Sequence, residues 1–419
     1  MSALSTSALV RLRRSPLGQT VAIRSFRHYW SSTFFYFLGF GSQRFTFIWL
    51  VLELSGNAWL AGVTAFALGI PAFFISLPAG AYADRVDRKK MVVCSNVAGG
   101  AVSMLIALLI WADVITVALA IIVALATGVT SAAVQPPMLA IIPTIVPRER
   151  LMNGIVLRTM GQNLAMVLGA TVGGVVIDMW NIGGAFAILT LMYALSAFAM
   201  FGVPSQRDGE GHAEGDRPSI RESVGEGLRF IRSSPGLLGL VILLAVIGFV
   251  MLGPVFVLIP EIAKDDLGQE ATGASILFAI TSSGMLVMSI ALAAVSNLRH
   301  KGAVLLITMM TGGVIVVAIG ASKWYLLTAL AMFLWGLGGG ILINLNQTLA
   351  QSHTPDEMMG RVMSVVTLAI TGMMPLGSLA AGAGAEFIGA GEWLMVCGVA
   401  LVLIGAALWV RLPALREMN

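Results

Sequence analysis

The chain is short of charge. Over 419 residues, Asp, Glu, Lys and Arg make up only 11%, against about 25% in soluble globular proteins. That shortage excludes an ordinary soluble enzyme. It also excludes disorder, which needs much charge and little apolar content. Cysteine is nearly absent. Cys94 and Cys397 both lie inside apolar runs and read as separate buried thiols, with no disulfide expected. His28, His212, His300 and His353 stand in expected loops or at helix ends, and no pair shares a helix at ligand spacing, so no metal is expected. The phosphate-loop pattern is missing, as are the zinc-protease and serine-elbow patterns. No catalytic residue and no cofactor is assigned, and ATP-driven pumping by this chain is not expected. A net charge of +4 comes without a basic stripe interleaved with aromatics, so nucleic acid is not a partner.

What the chain has in quantity is apolar sequence, 58% of residues. A membrane helix takes about 20 apolar residues. Twelve such segments are expected, at 29–53, 58–82, 91–112, 114–135, 151–177, 183–203, 236–261, 271–296, 302–321, 324–346, 361–386 and 391–411. Arg13 and Arg14 do not mark an export signal, because the apolar run after His28 is too long and many more follow. With the N-terminus inside, every Lys and Arg falls on the inner side except Lys264 and Lys323 outside and Arg44 and Arg158 within spans. Such asymmetry sets orientation. It predicts an even number of spans with both termini cytoplasmic in the cell (inner) membrane.

The stretch 204–235 interrupts the pattern. Ser205 to Asp216 is polar and glycine-rich, a linker composition. Ile220, Val224, Leu228 and Ile231 then recur at helical spacing, with Arg221, Arg229 and Arg232 on the opposite face, as in a helix lying on a membrane surface. The expected organisation is a cytoplasmic arm (1–28), a six-helix bundle (29–203), the linker with its helix (204–235), a second bundle (236–411) and a tail (412–419). The halves repeat. A shift of 208 places Pro147 on Pro355, Glu149 on Glu357, Leu168-Gly169 on Leu376-Gly377 and Gly174 on Gly382. A shift of 211 places Gly62 on Gly273, Arg88 on Arg299 and Lys90 on Lys301. Parallel six-helix repeats mark one large class of secondary transporters.

After the second span come Gly80, Asp84, Arg85, Asp87, Arg88 and Lys89. This resembles the loop motif of the major facilitator superfamily, a glycine, three residues, Asp-Arg, then a basic pair, with Asp87 where a second glycine is usual. Pro136-Pro137, Pro143, Pro147, Glu149 and the Pro355-to-Arg361 segment resemble the branch of enterobactin exporters and macrolide-efflux-like proteins. The resemblance covers the chain. It implies an all-α membrane protein with twelve transmembrane helices in two pseudo-symmetric six-helix bundles, the major facilitator fold. Asp84 reads as a cytoplasmic latch, because a carboxylate favours a helix N-terminus and a guanidinium such as Arg361; the alternative is that these charges only enforce topology. Gly169, Ala170, Gly173 and Gly174 resemble the glycine motif of the superfamily's antiporters, with Ala170 where proline is usual. They read either as helix packing or as a gating hinge.

Polar groups within the spans are the candidate substrate ligands. Arg44 lies 17 positions past Arg27, about 25 Å along a helix, too deep to reach the inner surface. It lines a pathway or pairs with Glu53 or another outer acid. Gln43 adjoins it. Arg158, with Gln162 and Asn163 a turn on, lies in the inner third of the fifth span, where it either lines the pathway or snorkels to the inner surface. Asn344, Asn346 and Gln347 cluster on the tenth span, for substrate or for bonds between helices. Glu53, Asp178, Glu261 and Glu386 fall near outer ends, and proton coupling requires one of them to titrate. The first span is crowded with Phe34, Phe35, Phe37, Phe40, Phe45 and Trp49.

The function expected is secondary transport of a small molecule, an amphipathic drug- or siderophore-like compound exported by a monomer in the bilayer, with protons as coupling partner. An importer of a polar or anionic metabolite, using Arg44 and Arg158, stands as an alternative. So does a scaffold or sensor that transports nothing.

Overall fold

In the computed structural model the residues described are 16–83, 86–205, 220–294, 298 and 300–418. They are mostly helical, with no strand among them. Twelve helices are long and apolar enough to cross a membrane. These are α1 (Arg24–Ser55), α2 (Ala58–Ala83), α3 (Arg88–Trp111), α4 (Val117–Ile145), α5 (Leu151–Met179) and α6 (Ile182–Met200). After the linker helix (Ile220–Ser233) follow α7 (Pro235–Asp266), α8 (Ala271–Ala294), α9 (Lys301–Ala321), α10 (Tyr325–Ser352), α11 (Met359–Ile388) and α12 (Ala390–Arg411). Each matches one expected apolar segment. Most ends differ because hydropathy marks only the apolar stretch, while helical hydrogen bonding continues into flanking polar residues; α4 instead continues past the expected 135 through Pro136, Pro137 and Pro143 to Ile145. At 32 residues, α1 runs about 48 Å, longer than a hydrocarbon core of about 30 Å.

Contacts gather the described residues into two units. The first draws on 16–46, 74–83, 86–115 and 125–205, the second on 47–73, 116–124, 220–294, 298 and 300–418. The first unit is built on the aromatics of α1. Phe26, Tyr29, Tyr36 and Phe37 are buried with Met138 and Ile141 of α4 and Tyr193 of α6. Tyr29 donates to the Met138 carbonyl (3.0 Å), Tyr36 to that of Ser131 (3.1 Å), and Trp30 Nε1 to that of Leu157 (2.9 Å). Aromatic hydroxyl and indole groups inside a membrane protein need such partners, and backbone carbonyls of neighbouring helices supply them.

Where helices must touch, glycine sits at the contact. A Cβ at Gly41 would lie 2.6 Å from the Met166 carbonyl oxygen, and one at Gly169 would collide with that of Leu38, so α1 and α5 pack backbone to backbone. In the second unit a Cβ at Gly253 would lie 2.7 Å from the Met374 carbonyl oxygen, and one at Gly377 would collide with that of Phe249. Helices α7 and α11 thus repeat the contact of α1 and α5, with the residues of α5 and α11 at the offset of 208 read from the sequence. Small residues permit this approach where no hydrophobic force between helices exists.

Helix α7 is not a plain α-helix. It widens into π turns at Ile247–Leu252 and Ile262–Asp266. The first immediately precedes Gly253-Pro254. Proline lacks an N–H and crowds the preceding turn, and a widened turn relieves that crowding. The linker helix packs along α11. There Glu226 forms an ion pair with Arg361 (2.6 Å), and a Cβ on Gly227 would lie 2.8 Å from the Arg361 carbonyl oxygen.

Candidate functional site

The second unit contains a cavity of about 390 Å3 between α7, α8, α10 and α11, within the usual range of small-molecule sites. The π turn of α7 contributes Ile247, Met251 and Leu252 to its wall, in keeping with the frequent placement of π turns at functional sites. From α10 come Trp335, Gly339, Leu342, Asn346 and Gln347, spaced so that one face of the helix meets the cavity. From α11 come Met363, Thr367 and Thr371 at intervals of four, again one face. Helix α8 contributes Met285. No charged side chain is among the lining residues.

Asn346 and Asn344 part company here. Asn344 Nδ2 donates to Ser289 Oγ on α8 (3.0 Å) and to the Gly340 carbonyl (2.7 Å), so it joins two helices. Asn346 lines the cavity. It is 8% exposed, and its Oδ1 is buried with no hydrogen-bond partner. The Thr371 hydroxyl donates to the Thr367 carbonyl (2.9 Å). The glycine run 336–340, which mimics a fragment of a dinucleotide loop, is a packing surface: a Cβ at Gly340 would lie 2.7 Å from the Met285 carbonyl oxygen.

The other expected ligands lie in the first unit. Gln43 is 4% exposed. Its Oε1 accepts from the Tyr193 hydroxyl in a short hydrogen bond and from Ser131 Oγ at 3.5 Å. Arg158 is 7% exposed, stands over the Phe37 ring (5.7 Å to the centroid) and faces the Tyr29 hydroxyl. Asn163 is exposed and Arg44 half-buried. Of the first-span aromatics, Phe37, Phe45 and Trp49 are buried and Phe34, Phe35 and Phe40 partly so.

Among the expected gating residues, Asp84 and Arg85 lie outside the described residues, as does the side-chain environment at Gly80. Arg88 donates to the Ala140 carbonyl (3.1 Å). Lys89 Nζ donates to those of Phe201 (2.9 Å) and Val203 (2.6 Å). Asp87 caps α3 by accepting from the Lys89 N–H (3.0 Å) and also accepts from the Ser205 hydroxyl. Its φ of −58° suits any residue, which is why a glycine is not needed at this place. Arg361 holds Glu226, as described. Gly169 and Gly173 face α1, where a Cβ at Gly173 would meet Ser42, and Gly174 is buried.

The methionines, Trp335 and the threonines of the cavity were not singled out from sequence. The four-residue spacing of Met363, Thr367 and Thr371 was the available signal. The π turn that brings in Met251 had none beyond Gly253-Pro254.

Twelve apolar helices and an uncharged, ligand-sized cavity among them describe a polytopic membrane transport protein. The chain belongs to the Major Facilitator Superfamily, which it matches over residues 29–378. It is 23% identical over 377 residues to macrolide efflux protein A of Streptococcus pyogenes, covering 89% of this chain and 91% of that one. It is 26% identical over 401 residues to the multidrug efflux pump Tap of Mycolicibacterium fortuitum (91% and 94% covered). The enterobactin exporter EntS of Citrobacter koseri is also 26% identical, over 376 residues (87% and 86%). The branch suggested by the proline segments is therefore among its relatives. The crystal structure of the nucleoside transporter NupG shares the fold, with a TM-score of 0.73 at 14% identity over 92% of this chain and 98% of that one. The chain is a transporter of this superfamily, not an enzyme, and takes a small-molecule substrate within a membrane.

Proposed function

We propose that this transporter exports an amphipathic small molecule, of drug or siderophore type, by alternating access in exchange for protons. The observation that carries the reading is the cavity of the second unit. It is sized for a small molecule and walled by methionines and Trp335, soft surfaces that repack around different shapes, with a few amide and hydroxyl groups for orientation. The names of the relatives, two efflux proteins and an exporter, support the direction. In this reading the chain is a monomer of two six-helix bundles, 29–203 and 236–411, in the cell (inner) membrane with both termini cytoplasmic. Asp84 and its basic neighbours control the cytoplasmic opening, and one of Glu53, Asp178, Glu261 and Glu386 carries the proton.

Everted and right-side-out vesicles loaded with a panel of fluorescent amphipathic dyes test this. Export predicts dye accumulation in everted vesicles, abolished by a protonophore and reduced at least about tenfold in Asp84→Asn. Accumulation only in right-side-out vesicles makes the chain an importer. No movement of any dye in either orientation overturns transport of this substrate class.

A further inference from the structure

Asn346 stands out among the polar groups near the cavity. Asn344, two residues earlier, spends its amide on Ser289 and Gly340. The Thr371 hydroxyl is donated to its own helix. Asn346 lines the same cavity, and its Oδ1 is buried and has no partner. A buried carbonyl oxygen without a donor is costly, and in a membrane protein few waters are at hand to relieve it. A ligand O–H or N–H is the group that fits.

The rest of the wall limits what that ligand can be. Met251, Met285, Met363 and Trp335 offer polarizable, apolar surface. No Lys, Arg, His, Asp or Glu is among the lining residues. An ionised group placed here has no opposite charge to meet, and burying it uncompensated is strongly unfavourable.

We propose that Asn346 is the specificity-determining residue of this cavity, and that the substrate seats there an uncharged, mainly apolar portion bearing a hydroxyl or amide N–H that donates to Asn346 Oδ1. The inference rests on the export reading insofar as this cavity holds the substrate; it adds the chemical class of the portion held. A site built to pair a donor rejects the analogue lacking it far more strongly than an apolar pocket rejects a missing methylene. Gln347, the other carboxamide of the wall, is exposed, so the discrimination is assigned to the buried Asn346.

The test is equilibrium binding to the purified full-length protein, by scintillation proximity, with three probes of one shape. These are 4-phenylphenol (a donor), 4-methoxybiphenyl (the donor blocked) and biphenyl-4-carboxylate (an anion). The wild type should bind the phenol about tenfold or more tighter than the ether, with the carboxylate weakest. Asn346→Leu should bind phenol and ether alike, with the ether's affinity within about twofold of wild type. If the leucine variant is not monodisperse, Asn346→Ala gives the same comparison. Equal binding of phenol and ether by the wild type, preference for the carboxylate, survival of the discrimination in both variants, or binding of none of the three overturns the inference. Dye export in everted vesicles is measured on the same preparations. Export that persists while the phenol preference is missing removes the role of Asn346 and leaves the export reading standing; loss of export in wild type removes that reading instead.

Discussion

Two carboxamides illustrate how differently one residue type is used. Gln43 is enclosed by Tyr193 and Ser131, whereas Asn346 Oδ1 has no partner. Gln43→Leu should leave the Tyr193 hydroxyl without its acceptor, a loss of about 1–3 kcal/mol, read as a lower thermal unfolding midpoint in detergent. Both residues were legible as polar interruptions of apolar spans. Which was structural and which open was not, because that depends on Tyr193 and Ser131, distant in sequence. At the C-terminal end of α7, Asp266 pairs with Lys323 of the α9–α10 connection (2.5 Å). The hydrogen bond that Lys323 donates to Asp266 raises the Lys323 pKa above the ordinary lysine value. A raised pKa means the pair contributes throughout neutral pH and fades only as pH climbs through that raised value. Lys323 is exposed, so the contribution is small. Lys323→Met should shift the unfolding midpoint by no more than about a degree at neutral pH, and that difference should vanish in strong alkali.

At the scale of helices, the paired glycines carry the packing. Gly169 meets Leu38 on α1 and Gly377 meets Phe249 on α7. Adding one methyl at either place forces two backbones apart, a strain of about 1–3 kcal/mol. Gly169→Ala and Gly377→Ala should lower the unfolding midpoint by similar amounts, whereas Gly360→Ala, where a Cβ meets nothing within 4 Å, should be close to neutral. The twelve helices were legible because each is a long apolar run. The repeat was legible because equivalent contacts need glycine at equivalent places. The π turns and the grip of the linker helix on Arg361 through Glu226 were not, since a widened turn leaves hydropathy unchanged and an ion pair between distant segments has no local pattern.

At the scale of the molecule, the bias of Lys and Arg to one side sets a testable orientation. Cys94 is exposed and Cys397 buried. In a variant with Cys94 replaced by serine, a cysteine at Glu417 should resist a membrane-impermeant maleimide in intact cells and react once the cells are opened. A cysteine at Lys323 should react in intact cells. Labelling of the tail from outside would reverse the topology and with it the direction assigned to transport.

The repeat contacts hold one further arithmetic detail. Leu38 and Phe249, whose carbonyls receive Gly169 and Gly377, are offset by 211, while Gly41 and Gly253, which meet Met166 and Met374, are offset by 212. The extra residue enters α7 within Ile247–Leu252, the widened turn itself. That turn is thus a single-residue insertion accommodated without breaking the helix. Excising one residue there should restore the spacing of α1 and rotate Met251 off the cavity wall, so a homologue with a straight seventh helix should align to this chain with a one-residue gap inside a membrane span.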